Sequence, residues 1–299
     1  MTLFGDTTGD QLQEGSDVQT AARNLFAGCL PERDEEVKAL WAEFDLIFRL
    51  AQDIHEGDKI VMRGGLYRYV DFNHRTLRAF WVAGYAAWEG YSVMAESIAS
   101  GRQGSLARFH ELVEAVRRIA DDAAPDSEPL PYGVAEPGQY DGQAVQERAA
   151  SELATFAACW AFLHEVRHIQ HQREGTSADR DEPDPSGRHE EELPCDRCAA
   201  DFLLSRVEEY AQNQSVPVEK VRQKREIGVY FALFAMGVLA DGKFSDSATH
   251  PALVRRIHAV QETIGAKGTC EAQLIGRLAF EALRQLQPEA PTVPITLCA

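Results

Sequence analysis

Basic residues and long hydrophobic runs are both scarce in this sequence. The 299 residues include 30 Lys and Arg against 47 Asp and Glu, which gives a formal net charge of −17. Nucleic acid recognition needs a basic surface to contact phosphates, and attachment to anionic lipid needs basic clusters. The charge balance therefore argues against a nucleic acid partner and against electrostatic membrane attachment.

The longest apolar run, Ile227 to Ala240, contains only fourteen residues. A helix needs about twenty residues to cross a bilayer, so the run predicts a buried helix and no membrane span. Peripheral membrane association stays open as an alternative. The N-terminus is polar and acidic, without the charged and then apolar order of a secretory signal. These features predict a cytoplasmic protein.

Cysteine is sparse as well, and its six copies show no regular spacing. They are Cys29, Cys159, Cys195, Cys198, Cys270 and Cys298. Small secreted domains held by disulfides have denser and more regular cysteine patterns. We therefore expect reduced thiols in a cytoplasmic setting.

Helical periodicity dominates the chain, so the predicted fold class is mainly α (α+β), with a small β-hairpin or sheet. From Asp34 to Ile54, apolar residues recur at steps of three and four, which predicts one amphipathic helix. At residues 60–72, two alternating runs flank Gly64-Gly65, which predicts a hairpin with both glycines in its turn. Further helices are predicted at residues 77–98, 106–119, 144–173, 190–212, 218–239, 251–264 and 271–286.

Composition divides the chain into three parts. Residues 1–20 predict a disordered tail, and residues 21–142 a helical region that contains the hairpin. Within it, the segment 124–142 holds four prolines and is expected to be a surface connection without helix. Residues 143–299 form a second helical region, which we expect to pack with the first as one compact unit.

The segment His164-Glu165-Val166-Arg167-His168 matches the HExxH pattern of zinc peptidases. On a helix, residues i and i+4 share a face, so both imidazoles can bind one Zn²⁺ ion. Glu165 could then act as catalytic base on a zinc-bound water without binding the metal. So short a pattern also arises by chance, and the alternative is two solvated histidines on a charged helix face.

A catalytic zinc site needs a third protein ligand and an open position. The continuation HExxHxxGxxH fails, because residues 171 and 174 are His and Glu instead of Gly and His. Further along, Glu192 and Asp196 lie one helical turn apart, as ExxxD. Glu192 is the predicted third ligand, and Asp196 the acceptor for the other ring N–H of a ligand histidine. An acidic helix N-terminus would explain residues 190–192, but not Asp196.

Cys195 and Cys198 offer a different metal site. Their spacing is that of a zinc knuckle or a redox pair. No second pair of this kind completes a four-cysteine site, so we expect both to be small residues facing the core.

The stretch Thr249 to Ile257 adds two candidates. His250 precedes Pro251, where a helix is predicted to begin, so its side chain could donate to the oxyanion that forms when water adds to a peptide carbonyl. Arg256 could reach the acidic side of the site. The alternative is a solvated histidine beside an ordinary helix start.

Together, HExxH, ExxxD and HPxxxxRI resemble the gluzincin metallopeptidases. More closely, HEVRHIQH just past the middle of the chain, followed by ELPCDRCAADFLL, resembles the Lit family of phage-exclusion proteases. The resemblance is specific over residues 150–260. It implies a zincin-type helical core in which His164, His168 and Glu192 bind Zn²⁺ and Glu165 is the catalytic base, with Asp196 and His250 in supporting roles.

The resemblance also implies a function: an intracellular zinc endopeptidase of abortive phage infection. Its protein substrate would be elongation factor Tu, cut by attack of zinc-bound water on a peptide bond, and a phage-derived peptide would activate it. Two alternatives stay open. One is a regulatory or toxin-like protein whose zinc is structural and which cuts no peptide. The other is a helical interaction module with an accidental motif and no metal.

Overall fold

The computed structural model describes residues 16–51, 60–121, 129–139, 144–179 and 181–296. Most of these residues are helical and three short strands form one sheet, so the predicted fold class is confirmed. The helices are α1 Ser16–Cys29, α2 Asp34–Phe44, α3 His74–Ser100, α4 Ala107–Ala120, α5 Val145–Glu174, α6 Ser186–Leu204, α7 Val207–Gln214, α8 Val218–Leu239, α9 Leu253–Ile264 and α10 Cys270–Leu286. The strands are β1 Ile47–Leu50, β2 Met62–Gly65 and β3 Tyr69–Phe72.

Helix α5, which carries the HExxH motif, is packed on several sides. It contacts α3, α6 and α8, and β2 lies against it. The approach of α8 is close, because a Cβ on Gly228 would collide with Phe156 of α5. Trp160, Phe162 and Leu163 of α5 are buried in the main hydrophobic cluster. A helix held at this many points gives its side chains a rigid support.

The apolar run that begins at Ile227 lies in α8, and most of its side chains fill the core. The prediction of a buried helix is therefore confirmed. Among the described residues, no helix has both the length and the hydropathy that crossing a membrane requires.

The sheet has the strand order β1-β3-β2, with β1 parallel and β2 antiparallel to β3. The expected hairpin is present, but its turn is not made of the two glycines. Gly64 and Gly65 belong to β2, and the chain reverses at Leu66 and Tyr67, both with positive φ. Position 64 requires glycine for another reason, because a Cβ there would collide with the backbone oxygen of Glu165 in α5. The glycine marks a close approach of strand to helix.

The predicted helix from Asp34 to Ile54 is too long. Helix α2 ends at Phe44, where Asp45 takes the left-handed conformation and caps it. Residues 47–50 instead form β1 and bond to β3. An apolar run this short fits the periodicity of a helix or of a strand, and only the pairing with β3 determines that these residues form a strand. Residues 52–54 of the prediction lie outside the described residues.

Other element boundaries in the structure also differ from the predicted ones. The helix predicted at residues 190–212 is two helices, α6 and α7, and α6 begins earlier, at Ser186. Residues 16–20 of the expected disordered tail are helical, and residues 1–15 lie outside the described part. The proline-rich connection has no helix at residues 129–139, and the rest of it, 124–128 and 140–142, is not described. One core cluster includes residues from both predicted regions.

The cysteines only partly follow the expectation of reduced thiols. Four are free: Cys29, Cys159, Cys195 and Cys198. Cys270 is disulfide-bonded, so the expectation is wrong for this residue.

Candidate metal centre and catalytic site

His164 and His168 lie one turn apart on α5, and their rings converge. The two Nε2 atoms are 3.1 Å apart, and both side chains are buried. The helical spacing alone produces this convergence, since residues i and i+4 project from one face.

Glu192 reaches the same point from α6. Its Oε2 atom lies 3.3 Å from Nε2 of His164, and its Oε1 atom lies 3.4 Å from Nε2 of His168. Ligand atoms about 2.1 Å from a tetrahedral zinc ion are themselves roughly 3.4 Å apart. Each carboxylate oxygen of Glu192 thus faces one imidazole at a separation of the size that such an ion requires. Among the described residues, they are the one group that could hold a metal ion.

The chemistry of this group fits a divalent cation. Within the described structure, Oε2 of Glu192 is buried without a hydrogen-bond partner. Burial alone would lower the pKa of His164 and His168, but surrounding acceptors, including Glu192, raise both above their ordinary values. An environment that draws positive charge to two buried imidazoles also stabilises a metal cation. Two imidazoles and one carboxylate are a donor set of catalytic zinc.

Asp196 orients the first imidazole. Its Oδ1 atom lies 2.9 Å from Nδ1 of His164, and the carboxylate is fully buried. Arg256 of α9 donates to both carboxylate oxygens, from Nε over 2.8 Å and from Nη2 over 2.6 Å. Burial alone would raise the pKa of Asp196, but Arg256 and His164 hold it below its ordinary value. With Nδ1–H donating to this carboxylate, Nε2 of His164 keeps its lone pair for a metal.

Glu191 plays the matching part for the second imidazole, and the sequence analysis missed it. Its Oε1 atom lies 2.7 Å from Nδ1 of His168, and its Oε2 atom accepts the N–H of Ala178. Sequence reasoning assigned Glu191 to an acidic helix end. The sequence does carry a signal for it, because a metal-binding histidine usually donates its other N–H to a partner, and two such histidines need two acceptors.

Cys195 and Cys198 are not part of the group that could hold a metal. Cys195 is buried, and its Sγ atom lies 3.6 Å from Nδ1 of His168, the nitrogen that points away from the convergence of Nε2 atoms. Burial raises the pKa of the Cys195 thiol to about 12. Because this sulfur lies beside the ring nitrogen that faces away from the converging Nε2 atoms, the geometry disfavours the cysteine alternative.

Glu165 borders the cleft beside these side chains. Its Oε2 atom accepts the N–H of Gly64, in the edge strand β2, over 2.6 Å. Burial raises the pKa of Glu165. A carboxylate with a raised pKa, held by one backbone donor, is suited to take up a proton and release it again.

A cavity of about 520 Å³ opens in front of this group. His164, Glu165, His250 and Arg256 line it together with apolar side chains, among them Phe80, Trp160, Met236 and Leu253. The sequence prediction for His250 differs in one detail, because α9 begins at Leu253 and not at Pro251. His250 therefore lies in the preceding loop, 56% exposed, with Nε2 3.8 Å from Oε1 of Glu192. Desolvation lowers its pKa, which favours the neutral imidazole.

A family model of Peptidase U49 matches residues 70–274, more than half of the chain. The chain belongs to the Peptidase U49 family. The matched range contains every candidate residue on α5, α6 and α9, and the resemblance to Lit agrees with the Peptidase U49 assignment. Membership in Peptidase U49 supports a hydrolase that acts on peptide bonds. Searches of curated proteins and of solved structures found no match.

Proposed function

We propose that the chain is a zinc-dependent endopeptidase of the gluzincin type. His164, His168 and Glu192 would hold Zn²⁺, and Glu165 would be the catalytic acid and base. The convergence of three side chains, whose facing ligand atoms are 3.1 to 3.4 Å apart, in a chain of a peptidase family, carries this proposal.

A zinc ion bound there would polarise the substrate carbonyl and lower the pKa of water. The chain's own groups do the rest. Glu165 accepts a proton from the attacking water and passes it to the leaving amine, which its raised pKa favours. The N–H of Gly64 fixes the position of its carboxylate.

His250 is the proposed donor to the oxyanion. Its Nδ1 atom lies 2.7 Å from the hydroxyl oxygen of Thr249, which can donate to it. Nε2 then carries the proton and is able to donate into the cavity that His250 lines. Donors aimed at a developing oxyanion lower the barrier to peptide hydrolysis.

The outer edge of β2 is the proposed binding place for an extended substrate segment. The main-chain groups of Gly64 are hydrogen-bonded to side chains of α5: its N–H donates to Glu165, and its carbonyl accepts from Gln172. Met62 precedes it by two residues, so its main-chain groups point to the same side and border the cleft. A strand edge holds an extended peptide through main-chain hydrogen bonds.

The likeness to Lit extends the proposal to substrate and setting. The protein would act in the cytoplasm on elongation factor Tu, in abortive phage infection, once a phage-derived peptide is present. Incubating the purified protein with elongation factor Tu, with and without such a peptide, tests this extension. A defined fragment should form only when both are present, and an intact substrate would limit the proposal to peptidase activity.

Glu165→Gln tests the catalytic proposal itself. The amide cannot take up a proton, so peptide hydrolysis should be lost while zinc content and fold are retained. Hydrolysis that persists in this variant would contradict the assignment. Zinc with no hydrolysis by wild type on any peptide would instead favour the structural-zinc alternative.

A further inference from the structure

A second cavity, of about 620 Å³, lies beside the C-terminal end of α5, beyond the candidate histidines. Arg63, Gly64, Leu66, Tyr67 and Gln172 are among its lining residues. The first cavity includes Trp160, which precedes the HExxH motif, whereas Gln172 follows Glu165 by seven residues. Seven residues of α-helix extend about 10 Å. Along α5, the second cavity therefore lies beyond His168, on the side away from Trp160 and the first cavity.

Among the described residues that line the second cavity, two are arginines and one is an aspartate. Arg49 donates twice to Asp71, over 2.6 and 3.0 Å, and stacks on Tyr69. Arg63 faces the same carboxylate at 3.5 Å, and its side chain is 56% exposed. Two guanidinium groups thus share one carboxylate, in a chain whose net charge is −17. Arg63, which is exposed and only shares this carboxylate, is suited to an anionic partner.

The rim of this cavity is an unusual turn. Leu66 and Tyr67 have φ values of 51° and 64°, in the left-handed region that Asn and Gly normally occupy in hairpin turns. Both side chains are large and exposed, at 68% and 57%. The N–H of Tyr67 donates to the side chain of Gln172 over 2.8 Å, and the carbonyl of Tyr67 accepts from Arg173 over 2.7 Å. A strained turn that exposes apolar side chains, and that the catalytic helix holds in place, indicates a binding role.

We propose that the cavity lined by Arg63, Leu66, Tyr67 and Gln172 binds an acidic, partly apolar segment of the protein substrate. This inference rests on the proposed function, because it takes the cavity as a continuation of the cleft. An extended chain advances about 3.3 Å per residue, so the acidic side chain would lie about three residues from the scissile bond. Arg63 would pair with the carboxylate, while Leu66 and Tyr67 would contact the neighbouring apolar side chain.

Fluorescence polarisation with three short fluorescein-labelled peptides tests this pocket on the zinc-loaded protein. The first peptide combines Glu with Leu and Phe, the second has Lys for Glu, and the third has Ser for Leu and Phe. We expect the first to bind about three- to fivefold more tightly than the second, as exposed ion pairs allow. It should also bind more tightly than the third, because Leu and Phe bury apolar surface that Ser does not. The preference for Glu over Lys should shrink at high salt, since exposed charges are screened.

Variants identify the residues responsible. Arg63→Glu should reverse the preference for Glu over Lys, and the milder Arg63→Gln should remove it. Arg102→Glu, an exposed site outside this cavity, changes the total charge equally and should leave the preference intact. Leu66→Ser with Tyr67→Ser should remove the preference for the apolar peptide.

Equal binding of the first two peptides to wild type, including no binding of either, would overturn the inference. So would an unchanged preference in Arg63→Glu. Fluorescence polarisation measures binding and not hydrolysis. A protein that binds the peptides selectively but hydrolyses none would therefore contradict the proposed function and leave the binding pocket supported.

Discussion

The Oε1 atom of Glu191 lies 2.7 Å from Nδ1 of His168, so the residue before one candidate ligand orients another. The other oxygen of Glu191 accepts the N–H of Ala178, in the loop that joins α5 to α6. This loop is thereby connected to the candidate metal centre through a single carboxylate. Both candidate histidines have an acidic partner on Nδ1, since Asp196 holds His164.

Glu191→Ala should weaken zinc binding by about 10- to 100-fold, the usual effect of removing such a partner. Glu191→Gln should retain most of the affinity, because the amide oxygen can accept the same N–H. Competition with a chromogenic chelator measures both. Glu190→Ala, an exposed change on the same helix, is the control and should bind zinc like wild type. Equal affinity in Glu191→Ala and the control would contradict the role.

Gly64→Ala should lower hydrolysis and destabilise the fold by about 1–3 kcal/mol, as overpacking does. The added methyl group would push β2 away from the carbonyl of Glu165. Gly65→Ala is a matched control, since a Cβ at Gly65 meets no described atom within 4 Å. Urea unfolding and peptide hydrolysis of both variants provide the comparison. Equal effects of the two substitutions would show that the approach of β2 to α5 is not close.

Asp196→Ala should reduce the free energy of unfolding by about 3–5 kcal/mol, because it leaves the buried charge of Arg256 without its carboxylate. The exposed ion pair between Arg197 and Glu262 connects the same two helices, α6 and α9. Glu262→Ala should therefore have a much smaller effect. Denaturant unfolding of the metal-free proteins separates this effect from zinc binding. A small loss in Asp196→Ala would contradict the pairing.

Glu226 should make stability depend on pH. Burial raises its pKa in the folded protein, so its contribution is fully present below the unfolded pKa and is lost as pH rises through the folded pKa. Glu226→Gln removes this loss, while an amide oxygen can still accept from Thr269. The variant should gain stability relative to wild type as pH rises above about 4.5, the ordinary pKa of the carboxyl group. A difference in unfolding free energy that does not change with pH would refute the shift.

Replacing the turn residues with the preferred pair, Leu66→Asn with Tyr67→Gly, should stabilise the protein by about 1 kcal/mol. Both residues have positive φ, which Asn and Gly adopt with less strain. Thermal unfolding measures the gain. The same variant should lose its preference for the apolar peptide, so stability and binding should change in opposite directions. A lower melting temperature would mean that the turn is not strained.

Sequence reasoning worked where one element determines the geometry. The i, i+4 spacing of His164 and His168 is a property of an isolated helix, and so is the single turn between Glu192 and Asp196. Sequence reasoning failed where a contact with an element distant in sequence determines the local structure. Phe44 ends α2 because the next residues pair with β3, and Gly64 is required by the backbone of α5. Neither neighbour is visible in the local pattern.

Elemental analysis of zinc in the purified wild type, beside His164→Ala and Glu192→Ala, tests the proposed metal centre most directly. Near-stoichiometric zinc in wild type, lost or strongly reduced in both variants, is the expected result. Wild type without metal after zinc has been supplied, or full zinc retained in Glu192→Ala, would contradict the site formed by His164, His168 and Glu192.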